Sequence, residues 1–136
     1  MCTCVCILAY TRIFAQFFIN AHTHTTLTFL CMYVYVHSYK LGDLQASDDE
    51  LQKAFYLSES SHLYDLQALA LINRCVILIK KDVLSVAITI GKQALDILLL
   101  HHVCEKDSYQ YRQYVYVLVL VYVKTREFSK AEVLVE

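Results

Sequence analysis

Residues 71–100 read LINRCVILIKKDVLSVAITIGKQALDILLL, and this stretch decides the predicted fold. From residue 81 onward polar side chains recur every three or four positions, which places them on one narrow stripe of an α-helix: Lys81, Ser85, Thr89, Lys92 and Asp96. Apolar residues cover most of the remaining circumference, so this helix must pack against neighbours on several sides. The pattern predicts a helix over residues 83–101 that belongs to a larger helical assembly.

The residues before this helix predict a second one, antiparallel to the first. Residues 62–80 carry a similar polar stripe, formed by His62, Asp65, Asn73 and Lys80. The connection near Lys80-Lys81-Asp82 is too short for anything but a tight helix–helix turn. The two helices therefore form a mostly apolar hairpin, which needs further helices to cover it.

Composition bounds the fold class and the partners. A chain of 136 residues can bury one substantial core. It has no proline and only two glycines, Gly42 and Gly91, which permits long helices and is unfavourable for a β-sandwich. A net charge of -1 excludes general electrostatic attraction to nucleic acid or to an anionic membrane. The predicted fold class is all-α, with no nucleic acid among the expected partners.

The distribution of charge divides the chain near Lys40. Arg12 is the only formally charged residue before it, whereas all the acidic residues and the other basic ones lie at or after it. We therefore divide the chain into an apolar, low-complexity arm over residues 1–39 and a helical region over residues 40–136. The arm need not be a true domain or part of the mature protein.

Three interpretations of the arm remain open. Its alternations, CTCVC at 2–6, HTHT at 22–25 and YVYV at 33–36, are those that dinucleotide repeats encode, which indicates repetitive DNA or a mispredicted exon. A signal anchor over residues 4–19 would contain Arg12 and Gln16, lack a basic flank and fall short of the roughly 20 residues that cross a bilayer. The period-2 runs also permit a β-hairpin.

Six cysteines do not form the pattern of a disulfide framework. Cys2, Cys4 and Cys6 are crowded together, whereas Cys31, Cys75 and Cys104 are scattered. Cys75 lies in an apolar helical run, where a small buried thiol is the ordinary interpretation. We therefore expect a reducing compartment and a cytoplasmic location.

The remaining helices are predicted from their ends. Ser47-Asp48-Asp49-Glu50 precedes a run of apolar residues and has the form of a capping box, which predicts that a helix over residues 48–58 begins at Ser47. A shorter helix is expected over residues 35–45. The three serines within residues 58–61 end the capped helix. Residues 101–108 form a loop, with Asp107 or Ser108 available as the next N-cap.

Residues 109–135 are predicted to be helical, with a break near residues 124–126. The Tyr-Val and Leu-Val alternation over 109–123 favours a strand by propensity. A single strand among helices would have no sheet to join, however, so we predict a helix.

Three short motifs suggest internal repetition. Leu51-x-x-Ala54, Leu84-x-x-Ala87 and Phe128-x-x-Ala131 each follow a predicted helix start, at intervals of 33 and 44 residues. The first interval is near the 34-residue period of tetratricopeptide repeats, and the chain resembles that family. The resemblance covers residues 35–136, as two units and a third that is cut short. Another α-solenoid or a helical bundle is the alternative.

Further matches follow when the three alanines are set at position 20 of the family pattern. Leu41-Gly42 then falls on the family's Leu-Gly pair, Gly91 and Ala94 fall on its small positions 24 and 27, and Tyr122 falls on its tyrosine. The chain departs from the pattern at position 4, which is Ser38, Leu71 and Val115 where an aromatic residue is usual. It also lacks the proline of position 32, and position 8 is Cys75 and Val119 in the later units.

The resemblance implies stacked antiparallel hairpins in a short α-solenoid and a non-catalytic scaffold that binds a protein or peptide partner on a concave face. In the family this face is lined by five positions of each first helix. These correspond here to Leu69, Ile72, Val76, Ile79, Lys80, Gln113, Tyr116, Leu120, Val123 and Lys124. The lysines and asparagine with which family members clamp acidic chaperone tails are missing at those positions, so that ligand is not expected.

No catalytic or metal-binding pattern accompanies this scaffold. Phosphate loops, nucleophile elbows and zinc-protease motifs are missing from the sequence. Neither Cys2-x-Cys4-x-Cys6 nor His101-His102-x-Cys104 has the Cys-x-x-Cys pairs of a structural zinc site. Tyrosines between residues 109 and 122 could stack on single-stranded RNA, but core packing explains them better. We expect no enzyme activity, no cofactor and no metal.

Two further expectations concern association. The alternative function is a membrane-associated protein held by the arm, with a cytosolic helical region. The third unit stops within its second helix, which would leave apolar residues exposed, among them Leu118, Leu120, Val133 and Val135. Exposed apolar surface of this kind favours self-association or partner binding at the C-terminal end.

Overall fold

The computed structural model describes residues 23–136, with side chains from residue 27 onward. These residues form six α-helices: α1 Thr23–Lys40, α2 Leu44–Ser60, α3 Tyr64–Lys80, α4 Leu84–Leu100, α5 Tyr109–Lys124 and α6 Phe128–Val135. No strand occurs within this part of the chain, so the prediction of an all-α fold is confirmed for it. The ambiguous stretch over 109–123 is helical, as predicted.

Each of the first five helices ends in the same kind of turn. One residue in each turn has a positive φ, between 51° and 79°: Gly42, His62, Asp82, His102 and Arg126. After α3, for example, the N–H of Asp82 donates to the carbonyl of Ile79 and that of Val83 donates to the carbonyl of Leu78. This pair of bonds defines the Schellman motif, which satisfies the last carbonyls and reverses the chain. Consecutive helices joined by these short turns are antiparallel neighbours.

The positive-φ residues of the turns give the spacing between successive helical hairpins. Gly42 and Asp82 are 40 positions apart, as are His62 and His102, and Arg126 follows Asp82 by 44. The 33-residue interval between Ala54 and Ala87 therefore does not match the spacing of these turns. By the 40-residue spacing of the turns, Ala54 corresponds to Ala94. The predicted match of Leu41-Gly42 to a pair inside a helix also fails, because Gly42 lies in the turn after α1.

Helix α3 lies at the centre of the fold. The smaller core cluster joins α1 and α2 to one face of α3, at Ala70 and Ile77. The larger cluster joins the other faces of α3 to α4, α5 and Ala131 of α6. Asn73 was predicted on a solvent-facing stripe, but it is buried, and its Nδ2 donates to the carbonyl of Leu69 at 2.9 Å. The stripe prediction failed there because neighbouring hairpins cover α3 on both sides.

The predicted start of α2 was also wrong. Asp43 is the N-cap, and its Oδ1 accepts a hydrogen bond from the N–H of Ala46 at 3.0 Å. Ser47 lies one turn inside the helix, where its Oγ donates to the carbonyl of Asp43. The helix predicted over residues 35–45 instead ends at Lys40. The ends of α3 to α6 agree with the predictions within two residues, and Ser108 is an N-cap, as predicted.

Part of the predicted arm belongs to the helical fold. Helix α1 begins at Thr23 and buries Met32, Tyr35 and Val36 in the smaller core cluster. The YVYV run at 33–36 is therefore helical, which contradicts the β-hairpin interpretation for that run. The candidate anchor over residues 4–19, with Cys2, Cys4 and Cys6, lies outside the described residues. Within residues 23–136, none of the helices combines the length and apolar character needed to cross a bilayer.

Candidate protein-interaction surface

Helix α5 packs against α3 and α4 at a point where both helices have small residues, Cys75 and Gly91. The Cys75 thiol donates to the carbonyl of Ala87 at 3.2 Å, which ties α3 to the start of α4. A Cβ on Gly91 would lie 3.3 Å from Cys75 Sγ and 3.0 Å from Leu118 Cδ1. Glycine at 91 therefore lets Leu118 of α5 enter between the two helices of the hairpin.

Burial of the Cys75 thiol also controls its chemistry. Removal from water raises the pKa of Cys75 to about 12, because the thiolate loses its hydration. A neutral, buried thiol is a weak nucleophile. Cys75 thus serves packing, as its apolar surroundings in the sequence predicted.

The two faces of α5 have different environments. One face is buried against α3 and α4, through Tyr114, Val117, Leu118, Val121 and Tyr122. The other carries Tyr116, Leu120 and Val123, which are 50%, 38% and 46% exposed. Their spacing of four and three residues aligns them along the helix. These three residues, with half-buried Gln113 and exposed Lys124, are the α5 positions that the sequence predicted for partner binding.

The predicted positions on α3 are less accessible. Leu69, Val76 and Ile79 are half-buried and pack against the larger core cluster, whereas Ile72 is buried within it. Lys80 is exposed, with its Nζ 4.4 Å from the centre of the Tyr39 ring of α1. This distance is that of a cation–π contact, which holds the lysine at the edge of the surface. Among the positions predicted for partner binding, the exposed apolar side chains therefore lie on α5.

An open groove, not predicted from the sequence, runs between α5 and α6. It consists of two adjoining cavities of about 620 and 470 Å³, which share Val119, Val135 and Glu136 as lining residues. The first extends along α5 to Tyr111 and the second extends to Ala131 of α6. The 44-residue interval between Ala87 and Ala131 could have indicated this groove. The same interval places Val119 and Val135 at the positions that correspond to Cys75 and Gly91, where Leu118 packs.

The prediction of an exposed C-terminal face is confirmed at three of its four residues. Leu120, Val133 and Val135 are exposed. Leu118 is buried, so that part of the prediction was wrong. Its side chain occupies the space beside Gly91, which the sequence did not place opposite it.

Polar contacts hold α2 against α3. Arg74 Nε lies 2.7 Å from Asp48 Oδ1, and Asp48 is almost fully buried. Gln52 donates to the other carboxylate oxygen of Asp48, while Gln67 donates to the carbonyl of Ser58. These bonds satisfy a buried charge and a buried amide at the interface between successive hairpins. Asp48 is thus an internal ion-pair partner rather than a helix-capping residue.

The histidines considered as ligands have structural surroundings. The His101 ring stacks on Tyr64, with ring centres 3.5 Å apart and planes within 3°. His102 occupies the positive-φ position of the turn after α4. In the described part of the chain, no group of three or more His, Cys, Asp or Glu residues is placed to hold a metal ion.

At the end of the chain, Lys130 donates a hydrogen bond to Glu127, and this bond lowers the pKa of the carboxylate. The pair lies on the surface at the start of α6, where such contacts contribute little to stability. It therefore orients the entry of α6 without providing a binding site.

Comparison of the chain with protein-family models, curated proteins and solved structures finds no match. The resemblance to tetratricopeptide repeats therefore remains a prediction from the residues of this chain.

Proposed function

We propose that the chain is a non-catalytic protein-binding scaffold, a short α-solenoid of tetratricopeptide-like hairpins with units of 40 and 44 residues. Its partner face is the exposed side of α5, formed by Tyr116, Leu120 and Val123. The observation that carries this proposal is the contrast between the two faces of α5. One face fills the core, while the other leaves an aligned row of large apolar side chains accessible.

The chemistry of this face favours a helix or peptide with apolar anchors. An aromatic and two aliphatic side chains in one row match the spacing of an amphipathic helix. Tyrosine is among the residues that contribute most to protein interfaces, because it buries a large area with few rotatable bonds. Lys80 and Lys124 lie at the ends of α3 and α5 and favour a partner whose apolar stripe is followed by carboxylates.

The proposal includes neither a reaction nor a cofactor. Asp48 forms an ion pair with Arg74, and burial raises the pKa of Cys75 well above neutral pH. Both groups are thereby committed to packing between helices. A cytoplasmic location belongs to the proposal as well, on the basis of the scattered cysteines.

A display library of amphipathic helical peptides tests this function. Peptides selected on the full chain are assayed against Leu120→Glu/Val123→Glu and against the matched control Ser85→Glu/Thr89→Glu, which places two charges on the exposed stripe of α4. We expect the first variant to weaken binding at least about tenfold, because it charges the centre of the apolar row. Equal binding to both variants, with unchanged circular dichroism, would refute the proposed face.

A further inference from the structure

The last hairpin carries an open version of the groove that α5 fills on the hairpin before it. Leu118 lies beside Cys75 of α3 and Gly91 of α4. The residues 44 positions later are Val119 of α5 and Val135 of α6, and both line the open groove. Cys75 and Gly91 are buried, whereas Val135 is 71% exposed. The groove of α5 and α6 therefore corresponds to a helix-docking site that no helix within residues 23–136 occupies.

The opposite end of the fold exposes the face that such a groove accepts. Helix α3 docks on α1 and α2 through Ala70 and Ile77, and α5 docks on α3 and α4 through Tyr114 and Val121. These residues are equivalent by the repeat, since Tyr114 and Val121 follow Ala70 and Ile77 by 44 positions.

Forty positions before Ala70 and Ile77, the corresponding residues of α1 are Leu30 and His37, which are both exposed. Leu27 and Val34 of the same helix are exposed as well. Within residues 23–136, the side of α1 that corresponds to the docking side of α3 and α5 therefore includes exposed apolar residues.

We infer that the chain self-associates head to tail, with α1 of a second copy lying in the groove between α5 and α6. The register is that of α5 on α3 and α4, so Val34 of the second copy takes the place of Leu118. It then lies between Val119 and Val135, where Leu118 lies between Cys75 and Gly91. The shorter Val34 side chain partly offsets the larger side chain at 135.

Charge is compatible with this occupant. Residues 27–39 contain no formally charged side chain, so the exposed face of α1 brings no like charge toward the four charged residues that line the groove, Lys106, Arg112, Glu132 and Glu136. These two basic and two acidic side chains are all exposed. The rest of the lining is apolar or aromatic, which an uncharged helix face can cover.

This association goes beyond the proposed scaffold function, because it joins two different surfaces of the same chain. Such a heterologous contact does not close on itself in a dimer, so assembly continues from copy to copy. The copies would extend the stack of hairpins across molecules. Tyr116 and Val123 of the proposed partner face also line the groove, whereas Leu30 lies on α1. Leu30→Glu should therefore lose self-association and keep peptide binding, which separates the two proposals.

Sedimentation velocity of the full chain, from micromolar to tens of micromolar, tests the inference. We expect the mass of the wild-type assembly to rise beyond a dimer with concentration. Val135→Glu destroys the groove and Leu30→Glu destroys the docking face, so each variant alone should be monomeric. Their equimolar mixture should form a 1:1 dimer that does not grow, because one intact groove then meets one intact α1.

The control Thr89→Glu, on the exposed stripe of α4, should assemble like the wild type. Monomeric wild type over the whole range would overturn the inference. A dimer of Leu30→Glu alone would also overturn it, since that result indicates groove-to-groove pairing. A mixture of the two variants that stays monomeric would do the same.

Discussion

The central hairpin, α3 with α4, and the last hairpin, α5 with α6, use equivalent positions in opposite environments. Ile72 is 1% exposed and its equivalent Tyr116 is 50% exposed. Gly91 is buried against a neighbouring helix, whereas Val135 is open. In the proposed repeat array each unit buries its apolar surface only against its neighbours. The difference shows that the surface of a hairpin depends on what is stacked on it as much as on its own sequence.

The largest expected effects concern the contacts between successive hairpins. Asp48 and Arg74 pair between α2 and α3, whereas the equivalent positions in the next interface are apolar Ile88 and Leu118. Asp48→Ile or Arg74→Leu alone should destabilise by about 3 kcal/mol, because each leaves an unpaired charge poorly solvated. The double variant should lie near the wild type, since it copies the apolar interface.

Urea unfolding of the four chains gives the coupling between the two positions. A double variant that loses the sum of the two single losses would show that the interfaces are not interchangeable.

Alanine positions test whether the central hairpin is the more tightly covered one. Ala87→Leu overfills a fully buried site and should destabilise by about 1 to 3 kcal/mol. Ala131→Leu, at the equivalent site beside the open groove, should cost less than half as much in dilute solution. Ser85→Leu on the exposed stripe should change stability by less than about 0.5 kcal/mol. Equal urea midpoints for the three variants would contradict the assignment of neighbours.

Gly91 tests how closely α5 approaches the central hairpin. Gly91→Ala should destabilise by about 1 kcal/mol, because the new methyl group would meet Leu118 and Cys75. In a Leu118→Ala background the same change should stabilise by about 1 kcal/mol, since alanine is the better helix former. Thermal unfolding, with and without Gly91→Ala in each background, measures the sign of the stability change. The same sign in the two backgrounds would refute the close contact.

Glycine substitutions in the turns after α4 and α5 should give smaller increases in folding stability, and the two increases should be similar. His102 and Arg126 hold positive φ angles without being glycine, which costs about 1 kcal/mol each. His102→Gly and Arg126→Gly should therefore stabilise by roughly 0.5 to 1 kcal/mol, while Gly42→Ala should destabilise by a similar amount. Lys81→Gly, at a turn position with φ of -81°, serves as the control that should not stabilise. A loss of stability in His102→Gly would contradict the turn geometry.

The smallest effect at neutral pH is the ionisation of Cys75. Its pKa is raised from 9.0 to about 12 by burial, so between these values the unfolded chain releases a proton that the folded chain keeps. Folding stability should therefore fall as pH rises through this window, by at most about 1.4 kcal/mol per pH unit. The stability difference between wild type and Cys75→Ala, measured by urea unfolding at pH 8 and 10.5, should shrink at the higher pH. A constant difference would show that folding does not raise the pKa of the Cys75 thiol.

Much of the fold was predictable because apolar periodicity is strong in the second half of the chain. The polar stripe of α4 is exposed at all five predicted positions. Its regular spacing is the signal that also placed the ends of α3 and α4. Four of the five α5 positions predicted for partner binding are exposed and Gln113 is half-buried, because all five lie on the side of the helix that faces away from Leu118.

The errors have physical causes in turns and neighbours. Asp43 and Ser47 are both good N-caps by residue type, and the αL glycine at 42 decides between them by ending α1. Four of the five turns have no glycine at the positive-φ position. Because glycine is the usual sequence marker of such a turn, the 40-residue spacing could not be predicted from the sequence. Asn73 and Leu118 were misplaced because their burial depends on helices that pack from other hairpins.

Site-specific photocrosslinking at residue 135 tests the unfilled groove of the last hairpin most directly. A photoreactive phenylalanine analogue replaces Val135 in one isotopically labelled copy, which is mixed with unlabelled wild-type chain. Mass spectrometry then separates crosslinks within a copy from crosslinks between copies. A helix docked in the register of α5 places residues 30–37 of the second copy beside position 135, so crosslinks between copies should concentrate there. Crosslinks confined to the labelled copy, or spread evenly over the second copy, would contradict the groove as a helix-docking site.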